Sequence, residues 1–219
     1  MLNNLLKQIS NFSKIGLTCQ LCGLDHQQPH SLCQQCWNQL PWYQNEHSQI
    51  LHRNELEIHI ALRYQFPVDR IIQTFKYEQQ LHYSTLLMYS LLELKMISKL
   101  RPKFQAIVPM PISTERLADR GYNQMLMVAQ KLSRHLNIPI WQPIIRSAQH
   151  SQKGLSRVER MENISEQFQI INTERRKYKR VLIIDDVVTT GSSLAALKQA
   201  LEKLGCQQIE IACISAAEI

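Results

Sequence analysis

The chain has 219 residues, 44% hydrophobic and 20% charged, with a formal net charge of +7. That length can bury one or two cores, and the balance of apolar and charged residues excludes a disordered or fibrous chain. No apolar run approaches the roughly 18 residues of a membrane span.

The start, MLNNLLKQISNFSKIG, spaces Leu2, Leu5, Leu6 and Ile9 as on a helix rather than as the solid apolar core of a signal peptide. A cytoplasmic location is therefore expected, where thiols stay reduced. Next come CQLC and CQQC, carrying Cys19, Cys22, Cys33 and Cys36. Each pair closes a knuckle with two sulfurs facing one point, and two knuckles make a tetrahedral site suited to Zn²⁺. Four protein ligands leave no open position, so the zinc is expected to be structural. A pair of disulfides and a redox CxxC are the alternatives, and the reducing compartment and the doubled spacing oppose both. His26 and His30 lie inside the loop and are not needed as ligands. Residues 1–45, an N-terminal helix and the four-Cys module, form the first expected domain.

Gln44–Asn54 is polar and reads as a linker. From there an α/β domain is expected over residues 55–219. LEIHIALRYQF alternates like a strand, and VDRIIQTFKYEQQ spaces Ile71, Ile72 and Phe75 helically. Leu81–Leu100 reads as one helix of about five turns. FQAIVPMP is a strand ending in prolines. ISTERLADRGYNQMLMVAQKLSRHL is helical with a break near Gly121, and IPIWQPIIR is extended. A polar, basic stretch follows, then a short strand in QFQII, the strand RVLIIDD, the helix SSLAALKQALEKLG and the strand CQQIEIACIS. Cys206 and Cys213 in this last unit read as buried core thiols. Strands alternating with helices imply a parallel sheet covered by helices on both faces.

Charge is unevenly spread. Arg101 to Arg160 contains ten Lys or Arg and three acids, a net +7, and RRKYKR fills Arg175–Arg180. Such surfaces attract phosphates, nucleic acid or acidic partners. Trp37, Trp42 and Tyr43 are candidate stacking surfaces for bases.

The densest chemistry lies in VLIIDDVVTTGSS, Val181–Ser193. Val181–Ile184 reads as a strand buried on both faces, so Asp185 and Asp186 fall at its carboxyl end, the edge where open α/β sheets bind ligands. Thr189–Ser193 then opens a helix whose N-terminus offers unpaired N–H groups and partial positive charge. Gly191 lets backbone approach a phosphate, and the hydroxyls of Thr190, Ser192 and Ser193 add donors. The carboxylates would grip what the phosphate carries: ribose hydroxyls, directly or through Mg²⁺. No Walker or dinucleotide glycine pattern is present.

This stretch resembles the phosphoribosyl pyrophosphate (PRPP) signature of type I phosphoribosyltransferases. The resemblance implies a PRPP site over Asp185, Asp186, Val187, Val188, Thr189, Thr190, Gly191, Ser192 and Ser193, with the acids on the ribose. A wider set of motifs resembles the ComF family of competence proteins: the four cysteines, TFKY, VPMPISTERLADRGYNQ and SQKGLSRVERMENISEQF. Where that family has Gly after its Lys-Tyr pair, Glu78, Gln79 and Gln80 stand here. The resemblance implies a pyrophosphate loop at Pro109, Met110 and Pro111 with Arg116 and Arg120, and a lid carrying Lys153, Arg157 and Arg160. It also implies a part in natural transformation: handling imported single-stranded DNA, with a DNA helicase or translocase as a candidate partner. Three outcomes stay open: an active transferase passing ribose 5-phosphate from PRPP to a base, a binding protein using the same pocket, and an adaptor whose zinc module docks a partner such as a DNA translocase.

Overall fold

The computed structural model describes residues 17–44, 49–98, 104–147, 168–171 and 177–217. The expected N-terminal helix and the expected lid at 153–160 lie outside these residues. Backbone contacts divide the chain into two compact units, Met1–Leu40 and Pro41–Ile219.

In the first unit, β1 (Leu17–Thr18) pairs antiparallel with β2 (Asp25–His26), and α1 (Gln34–Asn38) follows. The turn between the strands is tied by Cys19 N–H to Leu24 O at 2.8 Å and Gly23 N–H to Cys19 O at 2.9 Å, with Gly23 at φ 75°. Leu32 is fully buried, and Trp37 is buried under the ring of His30, stacked at 4.0 Å. Trp37 is therefore core, and so is buried Tyr43 in the second unit. Neither offers a base-stacking surface.

The second unit is built on a five-stranded sheet of order β3-β4-β9-β8-β5. Here β3 is Ile50–Arg53, β4 Leu56–Arg63, β5 Ala106–Pro109, β8 Arg180–Val188 and β9 Gln208–Ala216. β3 and β4 form an antiparallel hairpin, and the other pairings are parallel. The hairpin turns on Asn54 and Glu55, at φ 48° and 62°. Two successive left-handed residues make the tight turn whose twist matches the flanking strands. β3 thus occupies the stretch expected to be a linker. Its side chains are at most half-buried, so it lacks the apolar alternation that would have marked it.

Around the sheet, α2 spans Val68–Tyr77, α3 Tyr83–Leu92, α4 Lys95–Ser98, α5 Thr114–Arg120, α6 Gln124–Leu136 and α7 Ser192–Lys203. The single helix expected over Leu81–Leu100 is interrupted after Leu92. There Glu93 and Leu94 bond back to Ser90 and Leu91, three residues earlier, tightening the last turn. The break at Gly121 occurs as expected, with Gly121 at φ 80° ending α5 and the Asn123 side chain accepting from Met125 and Leu126 N–H to start α6. α6 buries Met125, Val128, Ala129 and Leu132 at helical spacing and contacts β5 and β8, while α3 contacts β4 and β9. Val181, Leu182, Ile183 and Ile184 have zero exposure. Successive strand residues point to opposite faces, so both faces of β8 are covered. Each such side chain contributes roughly 1.5–3 kcal/mol by leaving water. A separate pair, β6 (Ile144–Arg146) and β7 (Phe168–Ile170), runs antiparallel, and α7 contacts β7. Cys206 and Cys213 are buried, as expected. Among the described residues no helix is long and apolar enough to cross a membrane.

Candidate functional site

β8 does not stop at Ile184. It continues through both acids to Val188, paired with β9 as far as Ala216. On its other side the partner β5 ends at Pro109, opposite Ile184. Beyond that point β8 has a strand on one side only, and a cavity of about 440 Å³ opens there. Met110 N–H closes the gap behind it by bonding Ile184 O at 2.9 Å.

Because the acids are consecutive strand residues, their side chains leave on opposite faces. Asp186 is buried, and its carboxylate is held by protein donors. Lys76 Nζ donates to Oδ1 at 2.6 Å, Val187 N–H to Oδ1 at 2.7 Å, and Gln124 Nε2 to Oδ2 at 2.9 Å. Asp185 accepts from Asp186 N–H at 2.9 Å. Desolvation and the Asp186 charge push the Asp185 carboxyl up to about 7, against the opposing pull of Lys76 and Arg146. Asp186 is thus fixed by the fold, while Asp185 holds a costly charge at the cavity wall.

The chain then turns. Thr189 O accepts from Arg53 Nη1 of the β3–β4 hairpin. Gly191, at φ 80°, is the N-cap of α7, in the left-handed region that glycine enters without strain. Thr190 Oγ1 lies 3.0 Å from Ser192 Oγ and accepts from Ser192 N–H at 3.4 Å. The twelve residues of α7 present their first N–H groups and the positive end of the helix dipole to the same cavity. This wall can bind an anion, with carboxylates beside it to take hydroxyls.

The cavity is lined by all nine residues Asp185–Ser193 and by Met110, Pro111, Arg116 and Arg120. Pro109 ends β5 behind it and is not part of the lining. Lys153, Arg157 and Arg160 lie outside the described residues. Among the lining residues not singled out from the sequence as site residues are Lys76, Tyr77, Gln124 and Arg146. The first three belong to TFKY and GYNQ, which carried a resemblance but no role. Arg146 had no signal beyond being a basic residue ending an apolar run. It is desolvated beside Arg116, which pulls its pKa down, with Asp185 opposing, and its Nη2 donates to Ser193 Oγ at 3.5 Å.

In the first unit, the sulfurs of Cys19, Cys22, Cys33 and Cys36 all lie within 4.8 Å of one another, and Cys22 and Cys33 Sγ are 3.7 Å apart. Metal–sulfur bonds of about 2.3 Å at tetrahedral angles put sulfurs about 3.8 Å apart. The cluster fits one metal ion with an all-sulfur shell.

Residues 125–218 match the phosphoribosyl transferase domain family. The chain is 31% identical over 212 residues to Competence protein F of Haemophilus influenzae, covering 94% of this chain and 85% of that one. It is 27% identical over 203 residues to DNA utilization protein YhgH of Escherichia coli K12, covering 90% and 82%. Among solved structures, a purine phosphoribosyltransferase from Pyrococcus horikoshii Ot3 aligns over 61% of this chain and 72% of that one, at 24% identity and a TM-score of 0.36. A parallel sheet with a phosphoribosyl transferase domain, a four-cysteine cluster before it, and similarity to Competence protein F over most of both chains place this chain in the ComF family of competence proteins.

Proposed function

We propose that the cavity binds PRPP or a close phosphosugar, that Zn²⁺ fills the four-cysteine cluster, and that the protein serves the handling of single-stranded DNA in the cytoplasm. One observation carries the first part. A single cavity joins an anion-binding helix start to a carboxylate pair, with Lys76, Arg116, Arg120 and Arg146 also lining it. In this reading the α7 start takes the 5′-phosphate, Asp185 takes ribose hydroxyls, and Asp186 fixes the strand end. Arg116 and Arg120 take the second anionic group. Mg²⁺ fits as a companion of that group, since oxygen donors suit it and it neutralises phosphate charge. Zinc fits four thiolates, and its affinity becomes folding energy for so short a module.

Calorimetry with PRPP and Mg²⁺ tests the site, using Asp185→Ala, which leaves the protein donors on Asp186 in place. Hydrogen bonds to charged groups are worth roughly 1.5–3 kcal/mol, so affinity is expected to fall about ten- to a hundredfold. Equal affinity in both proteins would place the ligand elsewhere. Pyrophosphate release with a panel of bases then separates a transferase from a binding protein.

The DNA part is supported by the names of the relatives, a competence protein and a DNA utilization protein, and by the net +7 between Arg101 and Arg160.

A further inference from the structure

Tyr77 is anomalous. It closes α2 and lines the cavity, yet it is 72% exposed. An exposed aromatic ring loses the burial that usually justifies it. Nor does it swing freely, because the Arg120 guanidinium lies over one face at 5.1 Å from the ring centroid. Arg120 is in turn held by Gln124 Oε1 at 2.5 Å, and the other end of the same amide donates to Asp186 at 2.9 Å. One chain of contacts therefore runs from the buried carboxylate through Gln124 and Arg120 to the ring.

A cation over one face and solvent over the rest describe a platform, not a core residue. The cation also fixes the ring's position without covering it. Tyr77 lines the same cavity of about 440 Å³ as Asp185 and the start of α7.

We infer that Tyr77 is the specificity-determining residue of this cavity. It stacks on a base, so that the preferred ligand is a nucleoside 5′-phosphate rather than a bare sugar phosphate. The inference rests on the phosphosugar reading above and adds the ring. The nucleoside 5′-phosphate has two sources, a free nucleotide or the 5′-phosphorylated end of a single strand.

Calorimetry on the full chain, with zinc supplied, compares ribose 5-phosphate, AMP, and oligothymidylate bearing either a 5′-phosphate or a 5′-hydroxyl. Base stacking on an aromatic side chain predicts that AMP binds about tenfold more tightly than ribose 5-phosphate. Tyr77→Ala should erase that difference while leaving ribose 5-phosphate affinity within about twofold, and Tyr77→Phe should keep it. A preference for the 5′-phosphorylated strand over the hydroxyl strand identifies a strand end as the source. AMP binding with no such preference identifies a free nucleotide. Equal wild-type affinity for AMP and ribose 5-phosphate overturns the inference, as does equal weakening of both by Tyr77→Ala. Failure of ribose 5-phosphate to bind while AMP binds through Tyr77 would instead overturn the phosphosugar reading and leave the ring site standing.

Discussion

Lys76→Met is the most informative single change, because it isolates one buried ion pair. Lys76 Nζ stands 2.6 Å from Asp186 Oδ1, with side-chain exposures of 19% and 7%. Methionine keeps the apolar stem and removes the ammonium, so Asp186 remains buried without a counter-charge. Removing one partner of a buried pair costs about 3–5 kcal/mol. Here two donors persist on Asp186, Val187 N–H and Gln124 Nε2, and they offset part of that. We expect a loss of about 2–3 kcal/mol, which lowers Tm by roughly 4–12 °C in a chain of this size. Asp186→Asn and the double variant complete a thermodynamic cycle, measured by urea unfolding at fixed zinc. Coupling of about 2 kcal/mol is expected, because the double variant leaves neither charge stranded. A Lys76→Met protein within about 0.5 kcal/mol of wild type, or strict additivity in the double variant, would refute the pair as a structural element.

Metal analysis should find one zinc per chain, and Cys33→Ser should release it and unfold the first unit while leaving the far-ultraviolet signal of the sheet intact. Thr190→Val removes a hydroxyl from the helix start, and phosphosugar affinity measured by calorimetry should fall about tenfold without loss of stability. Single-stranded DNA should bind weakly and without sequence preference, its log affinity falling with log salt by about 0.7 per phosphate contacted. Changing Arg175, Arg176, Lys177 and Lys179 together to Ala should flatten that slope in filter binding, and an unchanged slope would exclude this cluster.

Long apolar or amphipathic runs made much of the fold legible. Val181–Ile184 and the 3–4 spacing of Met125, Val128, Ala129 and Leu132 announce their elements because burial and periodicity coincide there. The failures have a common cause. β3 is a half-buried edge strand whose existence depends on β4 beside it, and no local pattern reports a neighbour. β8 also runs two residues past the expected RVLIIDD, because β9 supplies ladder partners for Val187 and Val188. Gln79 shows the converse. It stands in the segment where the family has Gly, and it adopts a left-handed φ of 55° without one. Backbone shape there is imposed by the fold and not by the residue. For the site, the run from Asp185 to Ser193 was visible because its parts are contiguous. Lys76 and Gln124 reach Asp186 from 110 and 62 residues away, and such distances leave no trace in spacing.

The hairpin at Asn54–Glu55 has a bearing on how the domain can be cut. Arg53 bonds the Thr189 carbonyl, and a Cβ placed on Gly191 would meet Arg53 O at 3.6 Å and Asn54 Cβ at 3.7 Å. The glycine turn is therefore shored up by a segment that precedes it by more than a hundred residues. The stretch that matches the phosphoribosyl transferase domain, 125–218, begins after that hairpin, after Lys76, and even after the neighbouring strand β5. A fragment trimmed to those limits would keep the whole signature yet lose the scaffolding that shapes it. Transplanting the thirteen-residue motif into another α/β protein would meet the same obstacle, because its conformation is borrowed from elsewhere in the chain.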